Sequence, residues 1–173
     1  MNLKEKFRHV MDFPVEGIDF IDITTVLQDK DDFKYAIDSM IEKIKDLDFD
    51  IILAAESRGF LFGAPIAYAL GKGLSLVRKK GKLPYKTVRE EYSLEYGTDI
   101  LEMHIDAVKP GEKVLIVDDL LATGGTISAI SRLVEKQKGI VAGTLFLVEL
   151  TGLNGRSILK DYRVDSVVKF DLK

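Results

Sequence analysis

Apolar positions along the chain follow two different periods. Phe33, Ile37, Met40, Ile41 and Ile44 recur at three- and four-residue spacing, which predicts an amphipathic helix over residues 31 to 45. Asp31 and Asp32 stand near its N-terminus, where negative charge is favoured. Leu3, Phe7, Val10 and Met11 carry a similar spacing and predict a helix over residues 3 to 11. The run IILAA, Ile51 to Ala55, is continuously apolar, as is VLIV, Val114 to Val117. Runs this short, set among helices, predict parallel strands buried on both faces. Leu74 to Val77 and Ile140 to Leu150 predict two more strands, and Val164 to Val168 a last one. The segment GFLFGAPIAYAL predicts a helix that ends at Gly71. Further helices are predicted from about Ile127 to Gln137 and, shorter, near Arg156 to Lys160. Pro14 and Gly17 punctuate a short extended stretch around Ile18 to Ile23. Residues 84 to 104 are more polar, and Gly97 predicts the turn of a hairpin between Tyr92–Tyr96 and Ile100–His104. Strands that alternate with helices imply an α/β fold with a central, mainly parallel sheet flanked by helices.

Length and composition narrow this picture. At 173 residues the chain is expected to be a single domain, 1–173. Cysteine is absent, which excludes disulfides, thiolate nucleophiles and cysteine-ligated zinc. The net charge is −3, from 25 basic and 28 acidic residues, so the chain as a whole exerts no pull on nucleic acid or an anionic membrane. An anionic ligand must therefore be held by a local cluster. No apolar run approaches the length of a transmembrane helix, and MNLKEKFRHV lacks the apolar core of a signal peptide. A cytoplasmic protein with no nucleic-acid or membrane partner is expected.

The densest chemistry lies in VLIVDDLLATGGT, residues 114 to 126. An apolar strand is expected to end in Asp118 and Asp119 at its exposed end, followed by the small-residue loop Ala122, Thr123, Gly124, Gly125 and Thr126, and then a helix. Ligands of open α/β sheets bind beyond the carboxyl ends of strands. A glycine-containing loop that enters a helix presents backbone N–H groups to an anion, and the helix dipole adds to them. Thr123 and Thr126 add hydroxyl donors, so the loop is suited to a phosphate. Two carboxylates would repel that phosphate unless they accept hydrogen bonds from sugar hydroxyls or face a cation. A phosphorylated ribose offers both kinds of group. The loop is neither a Walker A motif nor GxGxxG.

This segment resembles the PRPP-binding motif of type I phosphoribosyltransferases (PRPP, 5-phosphoribosyl-1-pyrophosphate). Three further segments resemble the adenine-specific members. In AESRGFLFGAPIA, residues 55 to 67, Ser57, Arg58 and Gly59 follow a buried strand on the same rim as the phosphate loop. An arginine there can hold a phosphate in bidentate fashion, and a glycine lets the backbone approach a ligand. The resemblance implies that this segment binds pyrophosphate and that the Glu56–Ser57 peptide is cis. In RKKGKLP it implies that Arg78, Lys79 and Lys82 contact pyrophosphate oxygens, some of them from the neighbouring subunit of a homodimer. EYSLEYG resembles the lid that closes over the site, and there the resemblance makes Glu95 a proton acceptor or donor beside the purine, with Tyr96 over the reacting groups.

FPVEGIDFIDIT resembles the N-terminal hood of the same family. There, backbone groups around Asp19 and Ile21 read the Watson–Crick edge of adenine and Phe20 supplies an apolar face. Glu16 stands where proline is common in the family, and Ile21 where arginine is common. The implied protein has a type I phosphoribosyltransferase-like fold with a small hood, approximately 1–30, a core, approximately 31–173, and a flexible β-hairpin lid, approximately 84–104. The implied reaction transfers the phosphoribosyl group of PRPP to N9 of adenine, giving AMP and pyrophosphate in purine salvage. The implied cofactor is Mg2+ carried by PRPP, with no direct protein ligand. His9 and His104, the only histidines, have no partner in sequence that would make a metal site. A 6-oxopurine or orotate enzyme would share the PRPP loop but not SRGF, RKKGKLP and YSLEYG. A PRPP-binding regulator would not need Glu95 and Arg58.

Overall fold

The structure is a computed structural model and describes residues 1–94 and 97–172. Among these residues, β3 (Ile51–Ala55), β4 (Gly73–Lys79), β5 (Thr87–Leu94), β6 (Gly97–His104), β7 (Lys113–Leu121), β8 (Ile140–Leu150) and β9 (Val164–Phe170) form one sheet, ordered β5-β6-β4-β3-β7-β8-β9. β4, β3, β7, β8 and β9 are parallel, and the β5–β6 hairpin joins β4 antiparallel. The hairpin is longer than its apolar pattern suggested. Its strands pair from Thr87↔His104 to Leu94↔Gly97.

Alternation along the inner strands separates two cores. Ile52, Leu115, Val117, Leu145 and Leu147 face α2 (Lys30–Lys43) and α3 (Gly59–Leu70), whose Ala36, Met40, Phe62 and Ile66 are buried against them. Leu53, Ala55, Val114, Ile116 and Phe146 face the other way, onto Ile127, Ile130, Leu133 and Val134 of α4 (Gly125–Lys136). Burial on both faces is why these strands read as unbroken apolar runs. α2 starts where the Asp29 side chain accepts from the backbone N–H groups of Asp31 and Asp32, each at 2.9 Å. α3 ends at Gly71, which is left-handed at φ 63°.

The N-terminal segment departs from expectation. Leu3–Lys6 is a single 3-10 turn, and β1 (Arg8–Met11) is a strand that pairs antiparallel with β2 (Asp19–Asp22). Leu3 and Phe7 are buried as a helix would bury them, but Met11 is exposed. Pairing with β2 overrides the helical spacing. The short helix α1 (Thr24–Gln28) follows β2 and had no strong periodic signal. The helix expected near Arg156 to Lys160 is instead a 3-10 turn, Gly155–Ser157. No helix among the described residues is long and apolar enough to cross a membrane.

This topology fixes where a ligand can sit. From β3 the chain crosses through α3 to β4 on one side, and β7 returns to the other side. The connections diverge between β3 and β7, which leaves a crevice beyond their carboxyl ends. Glu56, Ser57 and Arg58 leave β3 at that crevice, and Asp118 to Leu121 end β7 there.

Candidate active site

An open cleft of about 640 Å³ occupies the crevice. Ser57, Arg58, Lys79, Lys82, Asp118, Asp119 and Thr126 line it, together with Glu56 and Tyr92. A smaller hollow of about 80 Å³ adjoins it, walled by Ala122, Thr123, Gly124, Gly125 and Thr126. The structure therefore brings the phosphate loop, the two acids and most of the basic residues to one place.

The loop's shape comes from its glycines. Gly124 caps α4 in the left-handed region at φ 85°. A Cβ there would lie 2.7 Å from the carbonyl oxygen of Gly155 and 3.0 Å from Ile158. A Cβ on Gly155 would in turn meet the Ala122 carbonyl at 2.4 Å. The loop and the 3-10 turn thus interlock through bare backbone, which leaves the first N–H groups of α4 unobstructed by side chains.

Asp118 and Asp119 lie within β7 and not beyond it, and Asp119 is buried at 5% exposure. This corrects the expectation that both acids lie at an exposed strand end. Asp119 is paired with Arg58, Nε to Oδ2 at 2.6 Å. The Asp119 backbone N–H donates to Asp118 Oδ1 at 2.8 Å. Burial, and then the adjacent Asp119 charge, push the Asp118 carboxyl well above the usual carboxylate range.

Gly59 also makes a close approach within the protein. A Cβ on Gly59 would lie 2.9 Å from the Val117 carbonyl oxygen and 3.0 Å from Asp118 Oδ1. The close approach at this glycine is to β7 itself, and it allows the start of α3 to press against Asp118. The Glu56–Ser57 peptide just before it is cis, as the resemblance implied.

The basic residues are engaged by protein groups. Glu56 Oε1 accepts from Arg78 Nη2 at 3.0 Å and from Lys82 Nζ at 2.6 Å, and Oε2 accepts from the Lys79 backbone N–H at 2.7 Å. Lys79 Nζ pairs with Asp99 at 3.1 Å. The Ile100 amide, followed by Lys79, holds the Asp99 carboxyl below its usual range. Tyr92 is buried beside this pair, and burial followed by the Asp99 charge raises its phenol. Sequence reasoning missed Glu56, Asp99 and Tyr92. Glu56 did carry a signal, as an acid directly before Ser57 and Arg58, but its partners lie 22 to 26 residues away.

The hood residues lie apart from the cleft lining. Ile21 is buried at 4% in the core formed with Leu3, Phe7 and Val26, so its side chain faces away from any ligand. Phe20 packs edge to face on Phe13, with ring centroids 5.1 Å apart. Asp19 Oδ2 accepts from His9 Nδ1 at 2.8 Å. The Thr24 amide and hydroxyl lower the Asp22 carboxyl most, and the charges of Arg8 and Arg58 lower it further. Glu95 and Tyr96 lie outside the described residues. No group of three or more His, Asp or Glu side chains gathers as a metal cage among the described residues.

Comparison with known proteins agrees with this geometry. The model of the phosphoribosyl transferase domain matches residues 24–172. The adenine phosphoribosyltransferase of Caldicellulosiruptor saccharolyticus is 72% identical over 171 residues, covering 99% of this chain and 98% of that protein. That of Acetivibrio thermocellus is 63% identical, with 98% and 100% covered. The crystal structure of adenine phosphoribosyltransferase from Thermoanaerobacter pseudethanolicus superposes with a TM-score of 0.94 at 54% identity, covering 97% of this chain and 98% of that one. The Saccharomyces cerevisiae enzyme, complexed with an imino-altritol bisphosphate and adenine, gives a TM-score of 0.89 at 38% identity, with 95% and 96% covered. With its sheet, phosphate loop and acid pair in the arrangement described, the chain belongs to the adenine phosphoribosyltransferase family, within the phosphoribosyl transferase domain proteins.

Proposed function

We propose that this chain transfers the 5-phosphoribosyl group of PRPP to N9 of adenine, releasing AMP and pyrophosphate, in the cleft beyond β3 and β7. The observation that carries the proposal is the junction of two unlike sites. A glycine-containing loop at the start of α4 adjoins a cleft lined by the acid pair Asp118 and Asp119 and by the cations Arg58, Lys79 and Lys82, with Arg78 held beside it by Glu56. One end suits a phosphate monoester, the middle suits ribose hydroxyls, and the basic end suits a diphosphate.

The steps follow from charge. N9 attacks C1′ as pyrophosphate departs from the opposite face, so positive charge builds on the sugar ring and negative charge on the leaving group. Pre-placed charges lower such a barrier more than any single proton transfer does. Arg58, Arg78, Lys79 and Lys82 face the departing diphosphate. Asp118 and Asp119 accept from the ribose hydroxyls. The amides and hydroxyls of Ala122 to Thr126 anchor the 5-phosphate, and that remote binding energy positions the reacting carbon. Mg2+ carried with PRPP, with no direct protein ligand, would add to the neutralisation of the diphosphate when bound. Backbone groups of Asp19 and Ile21 and the ring of Phe20 are assigned to adenine. The burial of Ile21 agrees with recognition by backbone, where arginine is common in the family. By resemblance, Glu95 and Tyr96 of the lid segment are assigned to the purine side of the transfer, where Glu95 is the group assigned to the proton that N9 gives up.

The same proposal makes the protein a cytoplasmic homodimer. α3 exposes Leu61 and Tyr68, two helical turns apart on one face, and the following strand β4 exposes Leu74 and Leu76, with Tyr68 91% exposed. Apolar patches of that kind mark protein contacts, and sedimentation at the monomer mass would contradict the dimer. The activity itself is tested by offering adenine, hypoxanthine, guanine, xanthine and orotate separately with PRPP and magnesium. AMP from adenine alone is expected. Turnover of a different base would overturn the assignment of the base pocket.

A further inference from the structure

Glu56 is an anion at the centre of a site assigned to anions. Its side chain is only 8% exposed, and both its oxygens are committed to one short segment, residues 78 to 82. Its backbone N–H donates to the Val77 carbonyl at 2.9 Å, so the residue is also fixed to the end of β4. Burial alone would raise the carboxyl, but the contacts with Lys82, Lys79 and Arg78 outweigh it and bring it down to about 2. Glu56 is therefore charged at every physiological pH.

The segment it holds is RKKGK, residues 78 to 82, with four cations in five positions. Left alone, such side chains repel one another, and each of them has many rotamers to lose on ordering. Ordering them only when a ligand arrives would weaken binding by that cost. With Glu56 in place, Arg78 and Lys82 share one carboxylate oxygen supplied by the protein itself. Arg78 has five N–H donors and Lys82 three, so each keeps donors free for a second anion.

We propose that Glu56 is a positioning residue for the leaving diphosphate: it gathers Arg78 and Lys82 at the edge of the cleft as a pre-ordered pair of cations, and stays in place when the diphosphate binds. The inference rests on the assignment of the cleft to PRPP. Its test uses inorganic pyrophosphate directly, so it remains valid if adenine proves to be the wrong base.

Titration calorimetry of the whole protein with pyrophosphate and magnesium is the experiment, with AMP as the second ligand. Glu56→Gln is expected to weaken pyrophosphate binding about tenfold, equivalent to about 1.4 kcal/mol, and to leave AMP binding within about twofold of the wild type. Glu56→Asp keeps the charge but is one methylene shorter, and is expected to fall between the two. Introduced on top of Lys82→Ala, Glu56→Gln should have clearly less than its full effect, because its partner is already gone. Pyrophosphate binding that is unchanged or tighter in Glu56→Gln would overturn the proposal, since Glu56 would then only compete with the ligand. Equal losses for pyrophosphate and AMP would also overturn it, by making Glu56 a structural residue. Should Glu56→Gln fail to fold, Glu56→Asp carries the test alone: wild-type pyrophosphate affinity in that variant would overturn the proposal.

Discussion

Replacing Asp118 and Asp119 together by asparagine is expected to lower turnover by about 10²–10³-fold, the scale seen when a preorganised polar partner of the reacting group is removed, while the chain stays folded. Both acids lie toward the carboxyl end of β7, where it meets the cleft, and neither belongs to the apolar cores. Asp119 is buried, but its partner Arg58 is half exposed, so water screens part of the pair, and asparagine keeps a hydrogen-bond acceptor for Arg58 at the same place. Asp118 works against folding at neutral pH. Its folded-state carboxyl is raised above the ordinary value of 3.8 by burial and by Asp119. The unfolded chain therefore gives up this proton more readily than the folded one. No cost arises below the unfolded value; the cost grows as pH rises from there toward the folded value and is constant above it. Asp118→Asn alone should therefore raise the melting temperature at neutral pH while impairing catalysis, the trade expected of a strained functional group. The same shift predicts that PRPP binds more tightly as pH rises through the range in which Asp118 ionises, because ribose hydroxyls need an acceptor. Melting curves and kcat/KM on the two single variants and the double variant check these points together. Near-normal turnover in the double variant would remove the ribose role from both acids.

The second large effect is expected at Gly124. Alanine there must adopt φ near 85°, which costs about 1–3 kcal/mol, and its Cβ meets the Gly155 carbonyl at 2.7 Å. Neither neighbour can yield cheaply, because Gly155 itself is pressed against Ala122. The loop has to shift, and its N–H groups lose their aim. Hydrogen bonds to a charged group are each worth about 1.5–3 kcal/mol, so the KM for PRPP should rise roughly 10- to 100-fold while the KM for adenine changes little. Steady-state kinetics with each substrate varied in turn would separate the two. An equal rise for both substrates would place the loop outside the phosphate site.

Much of this site was legible in the sequence because its parts are local. The apolar run, the acid pair and the glycine loop are contiguous from Val114 to Thr126, and the fold keeps them contiguous in space. The β3, β7 and β8 cores were equally plain, since burial on both faces leaves no polar break. Pairings across the chain were not legible. Nothing in RKKGK announces that a glutamate more than twenty residues earlier holds it, and nothing in DD says that the second acid is buried against Arg58. The two glycines of TGGT also look alike in sequence. Yet only Gly124 has positive φ and a crowded Cβ direction, while a Cβ on Gly125 would meet nothing nearer than 4.0 Å. The helical spacing at residues 3 to 11 misled for a related reason: β2 offers a backbone partner that local periodicity cannot register.

The most direct measurement on the central claim is a crystal structure of the AMP complex. The account predicts the 5′-phosphate in the hollow formed by Ala122 to Thr126, both ribose hydroxyls against Asp118 and Asp119, and the adenine ring turned toward Phe20 of the hood. A phosphate bound at Arg58, Lys79 and Lys82 instead, or a base lying away from β2, would contradict it.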